Sequence, residues 1–433
     1  MRDRIASRLQ ALWDMLASTG FFSIAGSTIV NRILSFMSGV LVVRLLSKAD
    51  YGVYSYAYNI LNIALLFNGV GVASAFIQLC CEPGGNRREV ELERWGFRGG
   101  GLFDVLLSTG IFLWATLVPE GMSGTRFLLQ LCALFPIPQF VADMQAAALR
   151  AQLRNSDYAV SNVIYTACIV AGTILGAAIS GAVGLLIGRV AGVVISIVIV
   201  GRHFGVPMLF SKGLNRDVGN SSSLGRRELV DYARIAISSA LANGISSFTY
   251  LIGTFMIGQL LADPLEVASY EAASAIPVAL NFIPATIMTY VYPFFAHHKD
   301  DLSWVRANYY RLLGLTSLGF GAVVLVCSAL APQLVALVYG EQYLSSVPAF
   351  RVLLFGSWIG ASFRIVSGNL LVTQRLIKSN LASAAITVVA ILILNMLLVP
   401  VAGGFGSAIA QTVGLCISGL FNTTAFALKI RNR

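Results

Sequence analysis

Uncharged apolar segments about as long as a bilayer is thick recur along the whole chain. Residues 181–201 and 386–400 are two examples with almost no charge. About 20 helical residues cross the hydrocarbon layer of a membrane, at about 1.5 Å per residue. Because lipid offers no partners for backbone N–H and C=O groups, such segments must form helices or a closed barrel. Barrel strands alternate polar and apolar residues, and these segments do not, which predicts transmembrane helices.

The composition excludes a soluble globular fold. Of the 433 residues, 57% are hydrophobic and 12% are charged, and the mean hydropathy is +0.77. Soluble domains have about 25% charged residues. The net charge of +10 would suit a nucleic-acid-binding protein if the basic residues formed one face. They lie instead in loops between apolar segments, as cytoplasmic loops of membrane proteins do, so no nucleic-acid partner is expected.

The distribution of Lys and Arg predicts the topology. We place about twelve transmembrane helices at residues 20–45, 52–79, 99–118, 126–149, 158–179, 182–203, 231–260, 267–295, 309–331, 347–372, 379–399 and 403–428. With the N-terminus inside, twenty-three of the thirty Lys and Arg residues fall on one side of the membrane and three on the other. Positive loops mark the cytoplasmic side, so both termini are expected in the cytoplasm.

The longest loop, residues 204–230, divides the chain into two halves. It is rich in Ser, Gly and Arg, a composition typical of a flexible linker. We therefore expect an N-terminal six-helix lobe at residues 20–203 and a C-terminal six-helix lobe at residues 231–433. Residues 1–19 place apolar side chains at helical spacing among three arginines, which predicts an amphipathic helix on the cytoplasmic surface.

A polar stripe with an arginine lies inside the first predicted span. Placing a charge at the centre of a bilayer costs about 2.5–3.5 kcal/mol, so a buried charge normally faces a partner or water. Arg32 follows Asn31 and precedes Ser35, and the seventh span carries matching residues 212 positions later, Asn243 and Ser247. We predict that these five residues bind substrate in a central hydrated cavity between the lobes. Hydrogen bonding between helices is the alternative for the Ser and Asn residues.

Other charges inside predicted spans extend this hypothesis. Arg364, in the tenth span, is predicted to join Arg32 in a cationic cavity. Asp143 and Glu271 are predicted to couple transport to an ion, because a carboxylate inside a membrane can exchange a proton or bind a cation. A salt bridge to a nearby arginine is the alternative for both. Asp104 is interpreted as the partner of a loop arginine, and residues 69–71 as a helix start and packing site.

No pattern of residues indicates catalysis, a metal site or a cofactor. The six cysteines lack CxxC spacing, and the three histidines, His203, His297 and His298, lie at predicted helix ends. No GxxxxGK[ST] motif occurs, which argues against direct use of ATP by this chain. The sequence therefore predicts a membrane protein that is not an enzyme.

Three motifs, in order along the chain, are similar to those of one family. Residues 43–54, VRLLSKADYGVY, contain a basic residue and two leucines, followed by an acidic residue, Tyr, Gly and Tyr. Residues 337–343, LVYGEQY, place Tyr-Gly-Glu before a second Tyr. Residues 395–410 place Pro400 before a Gly-x-x-Gly turn. Together they resemble the bacterial polysaccharide flippases of the multidrug, oligosaccharidyl-lipid and polysaccharide exporter superfamily.

The resemblance implies two six-helix lobes around a central cavity that work by alternating access. It implies an undecaprenyl-pyrophosphate-linked oligosaccharide as substrate, moved from the inner to the outer leaflet of the bacterial inner membrane. Membrane lipids and other membrane proteins of polysaccharide assembly are the further partners that it implies. Arginines in a hydrated groove would suit the anionic pyrophosphate. Many relatives carry an acidic residue early in the seventh helix, but this chain has Thr249–Tyr250 there, so it lacks that acid for ion coupling.

Two other functions are consistent with a helical membrane protein. A drug or cation antiporter of the same superfamily would need acidic groups in its cavity, whereas this chain offers arginines. A membrane-embedded glycan polymerase or ligase would need a large outer loop carrying catalytic residues, and the predicted outer loops here are short. The flippase is the function that the sequence favours.

Overall fold

The chain is almost entirely helical. The computed structural model describes residues 21–82, 88–118, 121–206 and 225–431. Within these ranges no β-strand occurs, as the long apolar segments predict, and the all-α membrane fold is confirmed. The predicted surface helix at residues 1–19 and most of the predicted linker at residues 204–230 lie outside the described residues.

Fifteen α-helices form in the described parts of the chain. They are α1 (Phe21–Leu45), α2 (Lys48–Leu65), α3 (Val72–Cys81), α4 (Glu89–Leu117), α5 (Thr125–Cys132), α6 (Pro136–Ala151), α7 (Asn155–Phe204), α8 (Arg226–Leu261), α9 (Pro264–Leu280), α10 (Phe282–His297), α11 (Leu302–Ala329), α12 (Ala331–Tyr339), α13 (Val347–Ile359), α14 (Val366–Thr373) and α15 (Ile377–Arg431). Two 3₁₀ turns (Asn68–Gly71 and Glu341–Ser346) and a π-helical turn (Gly360–Ile365) connect some of them.

Ten helical segments of the described chain are long and apolar enough to cross a membrane. Two of them, α7 with 50 residues and α15 with 55, far exceed the length that one crossing requires. Both are broken near the middle by non-helical backbone, α7 at Ser180–Gly181 and α15 at Gly403. If each of these two helices crosses twice, ten segments become twelve crossings. The count of twelve remains a prediction.

The break in α7 folds the helix back on itself. Gly181 has φ +57° and ψ −136°, a backbone conformation that residues with a side chain rarely adopt. The halves before and after the break touch each other through glycines. A Cβ on Gly172 would overlap the carbonyl oxygen of Gly188, and a Cβ on Gly176 would overlap that of Gly184. Small residues permit this close approach of helices in membranes.

The break in α15 also produces a helical hairpin. Gly403 has φ +55°, and beyond it the second half runs back along the first, so that the hydroxyls of Ser383 and Ser418 lie 3.1 Å apart. The second half begins at Gly404, whose N–H donates a 2.8 Å hydrogen bond to the Glu266 carboxylate. A carboxylate at a helix N-terminus stabilises the unpaired N–H groups and the positive end of the helix dipole.

Aspartates cap the start of two other helices. The N–H of Leu265 donates to Asp263 over 2.8 Å at the start of α9. At the start of α11, the Trp304 N–H and the Ser303 hydroxyl both donate to the Asp301 carboxylate, over 3.0 and 2.7 Å. These two hydrogen bonds stabilise the ionised form and lower the pKa of Asp301. Both caps satisfy N–H groups that have no partner within the helix.

The chain divides into two compact units. The first contains Met1–Leu46, Ala64–Pro119 and Arg126–Leu241, and the second contains Ser47–Ile63, Glu120–Thr125 and Ala242–Arg433. In the first unit, α3, α4, α6 and the start of α8 share a core in which Phe140 is completely enclosed. In the second, Tyr309 and Phe426 lie at the centre of a core formed by α10, α11, α14 and α15. The predicted division into two six-helix lobes remains a prediction.

Candidate functional site

The polar stripe predicted in the first span lies on α1. Asn31 is half-buried, and its side-chain oxygen is enclosed with no hydrogen-bond partner among the described residues. Arg32 and Ser35 are exposed on the surface of the protein, and no ion pair of Arg32 is present in the described chain. The cationic group is therefore available to a ligand, and binding by Asn31, Arg32 and Ser35 remains a prediction.

Arg364 meets α8 inside the second unit. It lies in the π-helical turn Gly360–Ile365, is half-buried, and donates from Nη1 to the Tyr250 hydroxyl over 2.8 Å. Its guanidinium also lies 5.6 Å from the centre of the Tyr250 ring. Among the described residues no carboxylate pairs with Arg364. Ser247 is exposed one turn earlier on α8, while the side chain of Asn243 is outside the described part.

A small cavity with both apolar and polar lining opens beside Tyr250 within the second unit. Its polar lining consists of Tyr250, Tyr270, Ser274, Asn281, Ser357 and Gln411. Gln411 is 5% exposed, and neither its Nε2 nor its Oε1 has a hydrogen-bond partner in the described structure. A buried amide without partners is unfavourable, so it indicates a site for water or a polar ligand. Sequence reasoning missed Gln411 because a single amide in an apolar helix is commonly a packing residue.

Asp143 lies in a hydrogen-bonded network within the first unit. Asn68 Nδ2 donates to Asp143 Oδ2 and Gln139 Nε2 donates to Asp143 Oδ1, both over 2.9 Å. Gln139 Oε1 in turn accepts from the Tyr165 hydroxyl over 2.5 Å. Neutral amides thus bind the carboxylate, and the alternative of a salt bridge to an arginine is not found in the described part of the chain.

Asp104 has a different partner from the one interpreted from sequence. It is completely buried in α4 and accepts from the backbone N–H of Gly69 over 2.9 Å. The interpretation as the partner of a loop arginine is therefore wrong. That interpretation assumed that the side chain reaches the membrane surface, whereas the contact of α4 with the turn Asn68–Gly71 turns it inward.

Glu271 contacts the part of α8 that belongs to the second unit. Its carboxylate accepts a hydrogen bond from the Thr254 hydroxyl. Within the described chain it has no arginine partner, so here too the salt-bridge alternative is absent. Glu271 is nonetheless half-buried in a membrane helix, which keeps it a candidate for binding a proton or a cation.

The three sequence motifs meet at the start of α9. Gly52 of the first motif lies so close to Pro264 that a Cβ would overlap the Pro264 carbonyl. Lys48 Nζ donates over 3.0 Å to the carbonyl of Gln342 in the second motif. From the third motif, the Gly404 N–H binds Glu266 on α9. These contacts are a close backbone approach, a hydrogen bond from lysine to a carbonyl and a helix cap, so the motifs build a structural junction rather than a reactive site.

A family model for polysaccharide biosynthesis proteins matches residues 41–348, more than half of the chain. The chain therefore belongs to the polysaccharide biosynthesis protein family. This match confirms the resemblance drawn from the three motifs, two of which lie within the matched residues. No curated protein sequence matches the chain significantly.

Solved structures of transporters share the fold. A structure titled lipid II flippase MurJ, inward closed conformation, has a TM-score of 0.72 at 13% identity and covers 94% of this chain and 89% of its own. An inward-facing multidrug resistance MATE family transporter of the MOP superfamily has a TM-score of 0.74 at 13% identity, covering 93% and 95%. A MOP superfamily transporter from Pyrococcus furiosus has a TM-score of 0.59 at 12% identity, covering 95% of each chain. These likenesses establish the fold.

Proposed function

We propose that the chain is a flippase that moves a lipid-linked oligosaccharide across the membrane. The expected substrate is an undecaprenyl-pyrophosphate-linked glycan, carried from the inner to the outer leaflet of a bacterial inner membrane by alternating access. Both termini are expected in the cytoplasm, and other membrane proteins of polysaccharide assembly would supply and receive the glycan. The family match and the transporter fold support this proposal.

Arg364 is the residue that supports it most directly. A guanidinium inside a membrane segment is unfavourable unless it is solvated or bound. Arg364 has one neutral partner, Tyr250, and no carboxylate within the described residues. A guanidinium has five N–H donors, so several remain for a ligand. Pyrophosphate matches this group in charge and in the fork geometry of its oxygens.

The neighbouring cavity supports a polar substrate. The hydroxyls and amides of its lining can exchange hydrogen bonds with phosphate oxygens or sugar hydroxyls, and Gln411 has both amide groups available. Asn31, Arg32 and Ser35 of the first unit, and Asn243 and Ser247 of the second, are proposed as further substrate-binding residues. Asp143 and Glu271 are the proposed ion-coupling residues.

The sign of the charge separates this proposal from a cation antiporter. An antiporter for cationic drugs would present carboxylates to its substrate, whereas the charged group that binds Tyr250, a residue of the described cavity, is an arginine. A membrane-embedded glycan polymerase or ligase is the third possibility. It would form glycosidic bonds in a vesicle assay supplied with acceptor, whereas a flippase would leave the glycan's length unchanged.

A binding experiment tests the substrate class. Purified protein in nanodiscs is titrated with undecaprenyl pyrophosphate and, separately, with uncharged undecaprenol. We expect the pyrophosphate to bind more tightly, and Arg364→Ala to weaken its binding by about 10- to 100-fold, since a charged hydrogen bond contributes about 1.5–3 kcal/mol. Arg364→Lys should retain part of the affinity, because it keeps the charge but loses the planar fork.

Arg351→Ala is the matched control. Arg351 also lies in a membrane-capable segment, but it is exposed and donates to the carbonyl of Ser328. Its removal should leave pyrophosphate binding unchanged. Equal binding of undecaprenol and undecaprenyl pyrophosphate, or full affinity in Arg364→Ala, would contradict the proposed substrate class.

A further inference from the structure

The membrane-capable segment Lys48–Cys81 is interrupted between its two helices. Between α2 and α3, three consecutive residues have left-handed backbone: Gly69 with φ +54°, Val70 with φ +50° and Gly71 with φ +75°. A β-branched residue such as Val70 rarely adopts this conformation. Such backbone persists only where the surroundings hold it, and it is frequent at functional sites.

Two carboxylates from different helices hold this break. Asp104 of α4 accepts from the N–H of Gly69, and Asp143 of α6 accepts from the side chain of Asn68, each over 2.9 Å. Phe140 closes the other side, because a Cβ on Gly69 would lie 2.5 Å from its ring. The carboxylates therefore bind two adjacent residues of one interrupted helix.

The charge of Asp104 is not balanced by its neighbours. Its side chain is fully buried, and its Oδ2 has no hydrogen-bond partner among the described residues. The Oδ1 of Asn68 is likewise buried and without a donor. An ionised carboxylate in an apolar environment is strongly unfavourable unless it is paired or hydrogen-bonded. Asp143 differs, since both of its oxygens accept from amides and it lines a cavity.

Other titratable groups on the helices packed against the break do not supply the missing charge. On α3, α4, α6 and the start of α8 these are Cys80, Cys81, Glu89, Glu91, Glu93, Arg94, Arg98, Arg150, Arg226, Arg227, Glu228, Asp231, Tyr232 and Arg234. In the described structure none of them forms a hydrogen bond or an ion pair with Asp104 or Asp143. Neither aspartate has a cationic partner among the described residues, and only Asp104 also leaves one carboxylate oxygen without a donor.

We propose that the break between α2 and α3 binds one monovalent cation, a proton or a sodium ion, at Asp104 Oδ2, with the unpartnered Asn68 Oδ1 as a further oxygen at the break. Oxygen atoms are the ligands that hard cations take, and interrupted helices in transporters provide such sites. A monovalent cation neutralises the charge of Asp104 itself. The site lies in the first unit and does not depend on the substrate proposed above.

A cavity with polar residues reaches the hydrogen-bonded network at this break. Asp143 lines a cavity of the first unit whose other polar residues are Gln145, Ser161, Asn162, Tyr165 and Ser196. Asp143 also accepts a hydrogen bond from Asn68, which connects this cavity to the residues of the break. A cation on Asp104 weakens the charge-assisted hydrogen bond from Gly69, so occupancy alters the stability of the interrupted helix.

The test measures binding to the full-length protein in nanodiscs, without any glycan lipid. Thermal unfolding is followed in NaCl and KCl at equal ionic strength, and across a range of pH. A bound sodium ion raises Tm in NaCl by about 2–4 °C and retains radioactive sodium on the protein. A bound proton instead makes Tm fall as the pH rises, and gives an infrared band of a protonated carboxyl group at neutral pH.

Asp104→Asn should abolish whichever response the wild-type protein gives. The control, Asp157→Asn, removes a carboxylate of the same unit that is half-exposed and paired with Arg154, and should retain the response. If Asp104→Asn does not fold, Asn68→Ala should weaken the response while leaving the charge of Asp104 in place. A wild-type protein that gives no sodium effect and no protonated carboxyl band overturns the proposal. So does a response that persists in Asp104→Asn. Neither result depends on what the protein transports.

Discussion

Gly52 lies where two backbones touch. It is the glycine of the first motif, and an added Cβ would overlap the backbone carbonyl of Pro264. A flexible side chain could move away, but the start of α9 is fixed by the cap of Asp263 on Leu265. Even one methyl group at this position must therefore displace α2 from α9.

We expect Gly52→Ala to destabilise the protein by about 1–3 kcal/mol, the usual effect of overpacking a tightly packed interior. The midpoint of thermal unfolding in detergent measures this. Gly39→Ala on α1 is the control, because no atom lies within 4 Å of its added Cβ. Alanine there should be neutral or stabilising by up to about 1 kcal/mol. Equal effects of the two substitutions would contradict the described contact.

Some functional candidates could be found from single residues and others could not. Arg364 was predicted as a substrate-binding residue because a charge inside an apolar segment is unfavourable unless a partner or water solvates it. The structure gives Arg364 a neutral partner and no carboxylate in the described chain. Asp104 was misassigned, because the sequence does not reveal which neighbour a buried carboxylate faces. Its partner, the N–H of Gly69, is a backbone group, and no pattern of side chains points to it.

At the scale of a whole element, the close packing of the two halves of α7 depends on glycine. Its two halves approach through Gly172 and Gly176 on one side and Gly184 and Gly188 on the other. We expect Gly176→Ala to push the halves apart and to lower Tm by several degrees, since about 1 kcal/mol shifts Tm by about 2–4 °C in a domain of this order of size. Size-exclusion chromatography after heating provides the measurement.

A glycine elsewhere in the same unit serves as the comparison. Gly110 lies in α4, and a Cβ built there has no neighbour within 4 Å. Gly110→Ala should therefore leave Tm unchanged or raise it slightly through helix propensity. If Gly176→Ala is as harmless as Gly110→Ala, the hairpin is not packed as described.

Apolar length predicted the membrane helices, while their interruptions were harder to predict. The span limits at residues 179–182 and 399–403 coincide with the breaks in α7 and α15, because Gly181 and Gly403 stand out between apolar runs. Residues 69–71 were interpreted as a helix start, and α3 does begin at Val72. The left-handed backbone before it was not predicted, since Val70 has no preference for that conformation.

At the scale of the molecule, three dispersed motifs indicated the family, and the family match confirms it. The motifs become neighbours near α9 through the approach of Gly52 to Pro264, the hydrogen bond of Lys48 to Gln342 and the cap of Glu266 on Gly404. That role explains why they identify a fold without revealing a reaction. Such motifs do not predict which substrate or ion is bound, because that specificity depends on a few side chains outside them, such as Arg364, Gln411 and Asp104.

Transport of a lipid-linked glycan is the central claim for the whole protein. It is tested most directly in proteoliposomes that contain the purified chain and a fluorescent undecaprenyl-pyrophosphate-linked oligosaccharide in both leaflets. A membrane-impermeant quencher, or an enzyme that cleaves the glycan, reports the fraction of label that reaches the outer leaflet. We predict that wild-type protein makes nearly all of the label accessible, while Arg364→Ala vesicles stay close to the half accessible in protein-free liposomes. Wild-type vesicles that expose label no faster than protein-free liposomes, with or without a proton or sodium gradient, would contradict the account.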